Sequence, residues 1–171
     1  MVTALTATVA VDDTELARAH ATASAVLDPE IPILTLADLG VVRSTTRRGS
    51  EIIVSLTPTY TGCPATAAIQ MDVEAALLAA GIPNASVETV LSPPWTTDDI
   101  TEGGRQKLKA YGIAPPNKGS PAMLFADEHV ECPKCGSGRT SRISEFGSTA
   151  CKALWRCDAC REPFDYFKCH R

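Results

Sequence analysis

This sequence contains no Gly-x-Gly-x-x-Gly, no Glu-x-x-His pair and no ferredoxin-type run of closely spaced cysteines. The first absence argues against a dinucleotide domain, the second against a di-iron carboxylate centre of the bundle type, and the third against a plant-type iron-sulfur domain. No apolar run approaches the roughly 20 residues that cross a bilayer, the longest lying near Ala75 to Ala80, so a membrane role is not expected. Nor is there a strong charge of one sign. The net charge is -4, with 13 acids against 8 bases up to Ser120 and 7 acids against 8 bases beyond it. Neither half has the basic balance of a nucleic-acid module. Met1 to Ala10 holds no Lys or Arg ahead of its mildly apolar stretch, which is a poor secretory leader, and an odd cysteine count is a poor disulfide framework. The expected compartment is the cytoplasm.

What the chain does have is cysteine, unevenly placed: six of its seven lie after residue 130. Four of them form two Cys-x-x-Cys pairs, Cys132-Pro133-Lys134-Cys135 and Cys157-Asp158-Ala159-Cys160, the spacing of a tetrahedral metal site built from two knuckles. One structural zinc per chain is the expected occupant and rubredoxin-like iron its rival. A segment of roughly 40 residues seldom folds without a metal or disulfides, so metal binding here is folding. Cys151 stands six residues before Cys157, which on an extended strand puts both on one face. It is expected to be a packed small residue, with an alternative ligand and a reactive thiol as the other readings. Cys169, beside His170, is either a further metal contact or part of a frayed tail. Trp155, Phe146, Phe164, Tyr166 and Phe167 are expected to supply the ribbon's core and a partner-facing patch, and Trp95 a packing plug.

Residues before 113 read as an ordinary α/β unit. Asp12 and Glu15 have capping-box spacing ahead of Leu16, Ala19, Ala23, Val26 and Leu27, and Pro29 stops that helix near Leu27. Strands are expected in 41–46 and 52–56 around the turn Arg47-Arg48-Gly49-Ser50, and in 86–91. A helix opening at Pro64 carries the stripe Ala65, Ile69, Val73, Ala76, Leu77 and Ala80 and ends at Gly81. A weaker helix over 97–111 is interrupted by Gly103-Gly104. The expected division is an α/β domain over 12–113, a proline-rich linker over 114–121 and a β ribbon over 122–171.

Cys63 would then be an N-cap residue, where unpaired N–H groups and the helix dipole favour the thiolate. The loop Thr57-Pro58-Thr59-Tyr60-Thr61-Gly62 would bring donors beside it, with Asp28, Glu30 and Asp38 reaching in from other loops. The other reading is a buried small hydrophobe. A hydrolase dyad with His20 has no orienting partner to support it.

Asp28-Pro29-Glu30-Ile31-Pro32, Asp38-Leu39-Gly40 and Thr57 through Ala65, in that order, resemble the iron-sulfur assembly factor family that includes SufT. With Pro93-Pro94-Trp95, the linker, Phe146 to Lys152 and Phe164 to Lys168, the resemblance extends to a family of small accessory subunits of phenylacetyl-CoA 1,2-epoxidase systems. It implies a small mixed sheet with packed helices followed by a C-terminal zinc ribbon. It also implies an accessory subunit, not catalytic alone, that matures or repairs a metal centre on partner subunits: a di-iron oxygenase and an iron-sulfur flavin reductase. Cys63 matches the family's reactive cysteine and Asp28, Glu30, Asp38 and Thr61 its supporting motif residues. A purely structural or docking subunit, a thiol enzyme and a general cluster-assembly factor are the alternatives. One cysteine per chain cannot complete a cluster site, so a transient iron or cluster would need a homodimer, a bridging small thiol or the recipient's ligands.

Overall fold

The computed structural model describes residues 13–117 and 130–168. The first unit opens with α1 (Asp13–Ala25) and a single-turn helix α2 (Leu36–Leu39), followed by the hairpin of β1 (Val42–Arg48) and β2 (Glu51–Leu56). Then come α3 (Thr66–Ala79), β3 (Ala85–Thr89), a short 3-10 turn at Thr97–Asp99 and α4 (Glu102–Tyr111). β1 and β2 pair antiparallel across Gly49-Ser50, where Gly49 adopts φ +66°, and β3 adds parallel to β2. The sheet is therefore mixed, in the order β1-β2-β3.

β2 is central and buried on both faces. Ile52, Val54 and Leu56 join the main core, while Ile53 and Ser55 are also buried. α1 and α3 pack side by side on the sheet through Ala19, Ala23, Val73 and Leu77. The predicted stripes hold at those positions, but Leu27 and Ala80 are exposed. Both follow the last residue of their helices, where the 3.6-residue period no longer governs which way a side chain faces. The expected cap Asp12 lies outside the described residues.

The glycine pair does not interrupt a helix, because the helix starts later than expected. Thr101 is the N-cap of α4 and accepts from the Gly104 N–H, so Gly103 and Gly104 occupy its first turn. A Cβ on Gly104 would lie 2.8 Å from the Asp38 carbonyl oxygen, so its absence lets α4 rest against α2. Gly40, at φ +67°, closes α2 with its α-carbon against the Asp99 carbonyl. Trp95 is buried and its indole N–H donates to the Leu39 carbonyl at 2.7 Å, which makes it the expected plug.

The second sheet has the order β4-β7-β6-β5, with β4 (Ile113–Ala114), β5 (Thr140–Ser144), β6 (Lys152–Cys157) and β7 (Pro163–Phe167). β4 follows directly on α4 and pairs parallel to β7. Ala114, at the head of the predicted linker, is thus a strand residue. Trp155, Phe164 and Tyr166 form the ribbon's own small core. Phe146, expected in that core or the outward patch beside it, is exposed, with the Lys168 ammonium over its ring. Phe167 belongs to the other core: it is buried with the first unit's residues, its ring 6.3 Å from Trp95. Cys151 joins the same core and Cys157 the ribbon's, so the two do not share a surface. Cys151 lies just outside β6, where strand alternation does not reach.

Candidate functional site

Two sites stand out, and each begins in backbone turns. In the ribbon, Gly136 donates to the Cys132 carbonyl and Arg161 to the Cys157 carbonyl, both at 2.9 Å. Gly136 at φ +71° and Arg161 at φ +68° supply the left-handed residue of each knuckle. The two turns bring Cys132, Cys135, Cys157 and Cys160 together with all four sulfurs within 4.8 Å of one another. Cys132 and Cys160 sulfurs lie 3.8 Å apart and those of Cys135 and Cys157 3.6 Å apart. A tetrahedron with Zn–S bonds of about 2.3 Å has edges of about 3.8 Å, so these two separations match a closed four-sulfur ion site. The Cys160 N–H approaches the Cys157 sulfur at 3.5 Å, and such backbone donors draw the Cys157 thiol down to about 6. The Cys135 and Cys160 thiols are shifted the other way: the backbone donors at Ser137 and Glu162 draw them down, but burial and hydrogen bonds among the sulfurs together outweigh this, so a bound ion must displace their protons.

The second site lies where the units meet. Asp28 folds the Asp28-to-Pro32 loop around its own carboxylate, which accepts the Glu30 and Ile31 N–H groups at 2.8 and 2.7 Å. Burial raises the Asp28 carboxyl above its usual range, and the two N–H donors only partly oppose this. Glu30 then faces the ribbon, its carboxylate 3.5 Å from the Cys151 sulfur. Cys151 also lies 3.0 Å from the Thr149 hydroxyl, and burial foremost pushes its thiol up to about 11, so it is protonated near neutrality.

Cys63 is placed by two successive turns. Its N–H donates to the Tyr60 carbonyl at 3.2 Å, with Gly62 at φ +87°, and its own carbonyl accepts from the Thr66 N–H at 3.2 Å and hydroxyl at 2.9 Å. The N-cap of α3 is Ala65, so Cys63 leads into the helix rather than capping it. The second turn takes up the residues that were expected to be the helix's first. Cys63 is half-buried and borders a cavity of about 30 Å³ shared with Asp28, Glu30, Thr57, Cys151 and Phe167. Burial, followed by the charges of Cys63, Cys151 and Glu30, raises the Tyr60 phenol above its usual value, so one phenol senses all three groups.

The structure brings together Cys63, Asp28 and Glu30 but not the whole predicted set. Asp38 is engaged in the α2 capping box with Thr35 and in an ion pair with Lys107 at 2.6 Å, away from the cavity. Thr61 is exposed and does not line it. Cys169 lies outside the described residues. His20 is exposed on α1, near the Thr45 hydroxyl, and has no part in the cavity. The loop expected beside Cys63 does contribute Thr57 to the cavity, but sequence reasoning missed Cys151 and Phe167. Those two come from the ribbon and carry no local signal of it.

Residues 21–92 match the family described as iron-sulfur cluster assembly protein, and residues 116–168 match the PaaD zinc beta ribbon domain. A protein of Escherichia coli (strain K12), provisionally named as the D component of 1,2-phenylacetyl-CoA epoxidase, is 50% identical over 146 residues, covering 85% of this chain and 88% of that one. Among solved structures, a domain of unknown function (DUF59) from Bacillus anthracis is 26% identical with a TM-score of 0.49, covering 54% of this chain and 90% of that one. A Mycobacterium tuberculosis protein, described as associated with iron-sulfur complex assembly and repair, is 30% identical with a TM-score of 0.32, covering 61% and 92%. Among the described residues no helix is long and apolar enough to cross a membrane. An assembly-type segment, a ribbon of the matching kind and half the residues identical across most of both chains place this protein in the PaaD family of phenylacetyl-CoA epoxidase components.

Proposed function

We propose that this chain is the maturation subunit of a phenylacetyl-CoA epoxidase: it carries iron, as an ion or a small cluster, and delivers it to a metal centre of a partner subunit. The observation that supports the reading is that Cys63 borders a cavity also lined by Asp28 and Glu30, in the segment that matches iron-sulfur cluster assembly proteins. Thiol and carboxylate are both ligand types that iron accepts, and a single thiol at a partly open cavity can release what it holds. Zinc in the four-cysteine site would hold the ribbon folded and take no part in electron transfer, because zinc has no redox chemistry. The partners in this reading are the di-iron oxygenase and the iron-sulfur flavin reductase, in the cytoplasm. The oxygen chemistry belongs to them, with this chain the accessory.

The test is the iron and acid-labile sulfide content of oxygenase and reductase subunits produced with this chain, without it, or with its Cys63→Ala form. Loss of metal from one subunit in both deficient cases supports the reading and identifies the recipient. Full loading of both subunits in every case overturns it in favour of a docking role.

A further inference from the structure

α3 is apolar on the side that meets the core and also on the side that does not. Ile69, Val73 and Leu77 pack inward. With each residue turning the helix by about 100°, Ala67, Ala68, Met71, Ala75, Leu78 and Ala79 fall together on the opposite side, and all six are exposed. Met71 is 68% and Leu78 65% exposed. A helix that is apolar all round belongs in an interior, so this outer face calls for a cover. Its borders are acidic. Glu74 edges it on one side and Asp72 on the other, both exposed, and α3 contains no Lys or Arg. The face also starts close to the thiol: Ala67 stands four residues after Cys63, whose neighbours Gly62 and Pro64 are exposed too.

Those charges choose among the occupants. A second copy would set carboxylate against carboxylate in either orientation, because both borders are acidic. Residues 1–12 of this chain, which lead into α1 beside α3, hold no Lys or Arg to meet them. A foreign helix with bases flanking its own apolar stripe satisfies both the face and its borders. The four alanines let such a helix approach closely, towards the short end of the roughly 8–10 Å range of helix separations. Met71 and Leu78 supply the anchors, and the unbranched Met71 adapts to the opposing surface.

We infer that the outer face of α3 is the docking site for the recipient subunit, and that the part seated on it is an amphipathic helix with Lys or Arg on both flanks of its apolar stripe, opposite Asp72 and Glu74. The inference rests on the proposed delivery of metal from Cys63, and supplies the surface that brings the recipient to it. A helix anchored on Ala68, Met71, Ala75 and Leu78 lies along α3, so one of its ends sits beside the turn that holds Cys63.

The experiment measures binding of the full chain to the separately purified di-iron oxygenase and reductase subunits at low and high salt. The expected result is binding to one subunit, weakened about 30-fold or more by Met71→Asp or Leu78→Asp, the loss that marks a central contact. Asp72→Asn with Glu74→Gln slows association and flattens its salt dependence. Tyr111→Asp, at a side chain 58% exposed on α4, leaves binding unchanged. Unchanged helix content and ribbon metal in each variant show that the chain is folded. Binding to neither subunit overturns the inference, as does binding that Met71→Asp and Leu78→Asp leave intact. Self-association that Leu78→Asp abolishes makes a second copy the occupant and also overturns it; so does binding that appears only once residues 1–12 are removed. Metal transfer separates this inference from the reading it rests on. If transfer needs Cys63 while docking ignores α3, the maturation reading stands and this inference falls. If a Cys63→Ala chain that docks through α3 still leaves both subunits fully loaded, the docking site stands and the maturation reading falls.

Discussion

Replacing Phe167 by Ala should unfold the first unit more readily while leaving the ribbon's metal in place. Phe167 ends β7 of the ribbon sheet, yet its ring is 2% exposed among the first unit's core residues and packs against Trp95 at 6.3 Å with planes tilted by 55°. Truncating a buried Phe costs about 3–5 kcal/mol, of which an aromatic pair accounts for roughly 0.5–1.5. Against a total of about 5–15 kcal/mol this is a large fraction. With a urea dependence of about 2 kcal/mol per M, a loss of about 4 kcal/mol lowers the midpoint by roughly 2 M. The assay is urea unfolding followed by Trp95 fluorescence in a Trp155→Phe background. That background forfeits no hydrogen bond, because the Trp155 indole N–H has no partner among the described residues. Metal content is measured in parallel. An unchanged Trp95 midpoint together with loss of the ribbon's metal would refute the reasoning, since it would make Phe167 a ribbon residue.

Two further outcomes follow from the α2–α4 contact. Gly103→Ala should raise the thermal midpoint, gaining up to about 1 kcal/mol of helix propensity because its nearest neighbours stand at 3.9 and 4.0 Å. Gly104→Ala, one residue on, should lower it, costing about 1–3 kcal/mol because the new methyl meets the Asp38 backbone; equal effects at the two positions would refute the packing. At Asp38, burial works to raise the carboxyl, but Lys107 and the Thr35 N–H and hydroxyl together outweigh it and hold it below the usual 3.8. A carboxyl lowered on folding stabilises above its unfolded value, and that stability is lost as pH falls through the folded one. Asp38→Asn should therefore cost about 1 kcal/mol in urea unfolding at pH 7 and progressively less below pH 4, where the native carboxyl also protonates; a cost independent of pH would sink this assignment.

The ribbon's metal site was legible in full, because Cys132, Cys135, Cys157 and Cys160 need only local turns to converge. So were the hairpin, the helix stripes at Val73 and Leu77, and Cys63 with the Asp28 and Glu30 loop, since each is a short-range pattern or a motif. The start of α3 was misplaced because Cys63 to Thr66 forms a turn that mimics a first helical residue at Pro64. The glycine pair misled in a different way: its role is a clearance against Asp38, 66 residues upstream of Gly104, which propensity does not encode. Cys151 and Phe167 were assigned to the ribbon by proximity in sequence. Glu30 and Cys151 are 121 residues apart, and no spacing rule reaches that far.

β4 gives the chain a consequence for how it is made. The strand that edges the ribbon sheet is Ile113–Ala114, yet its partner β7 starts only at Pro163. A nascent chain therefore displays that edge, and a first-unit core still missing Cys151 and Phe167, until residue Phe167 has emerged. Domains usually fold as they are synthesised, N-terminal first. Here the earlier unit waits for the later one to stop its gaps. The two units that look separable by composition cannot be exchanged piecemeal: a foreign ribbon fused after residue 117 would bring neither the thiol nor the ring that the first unit lacks.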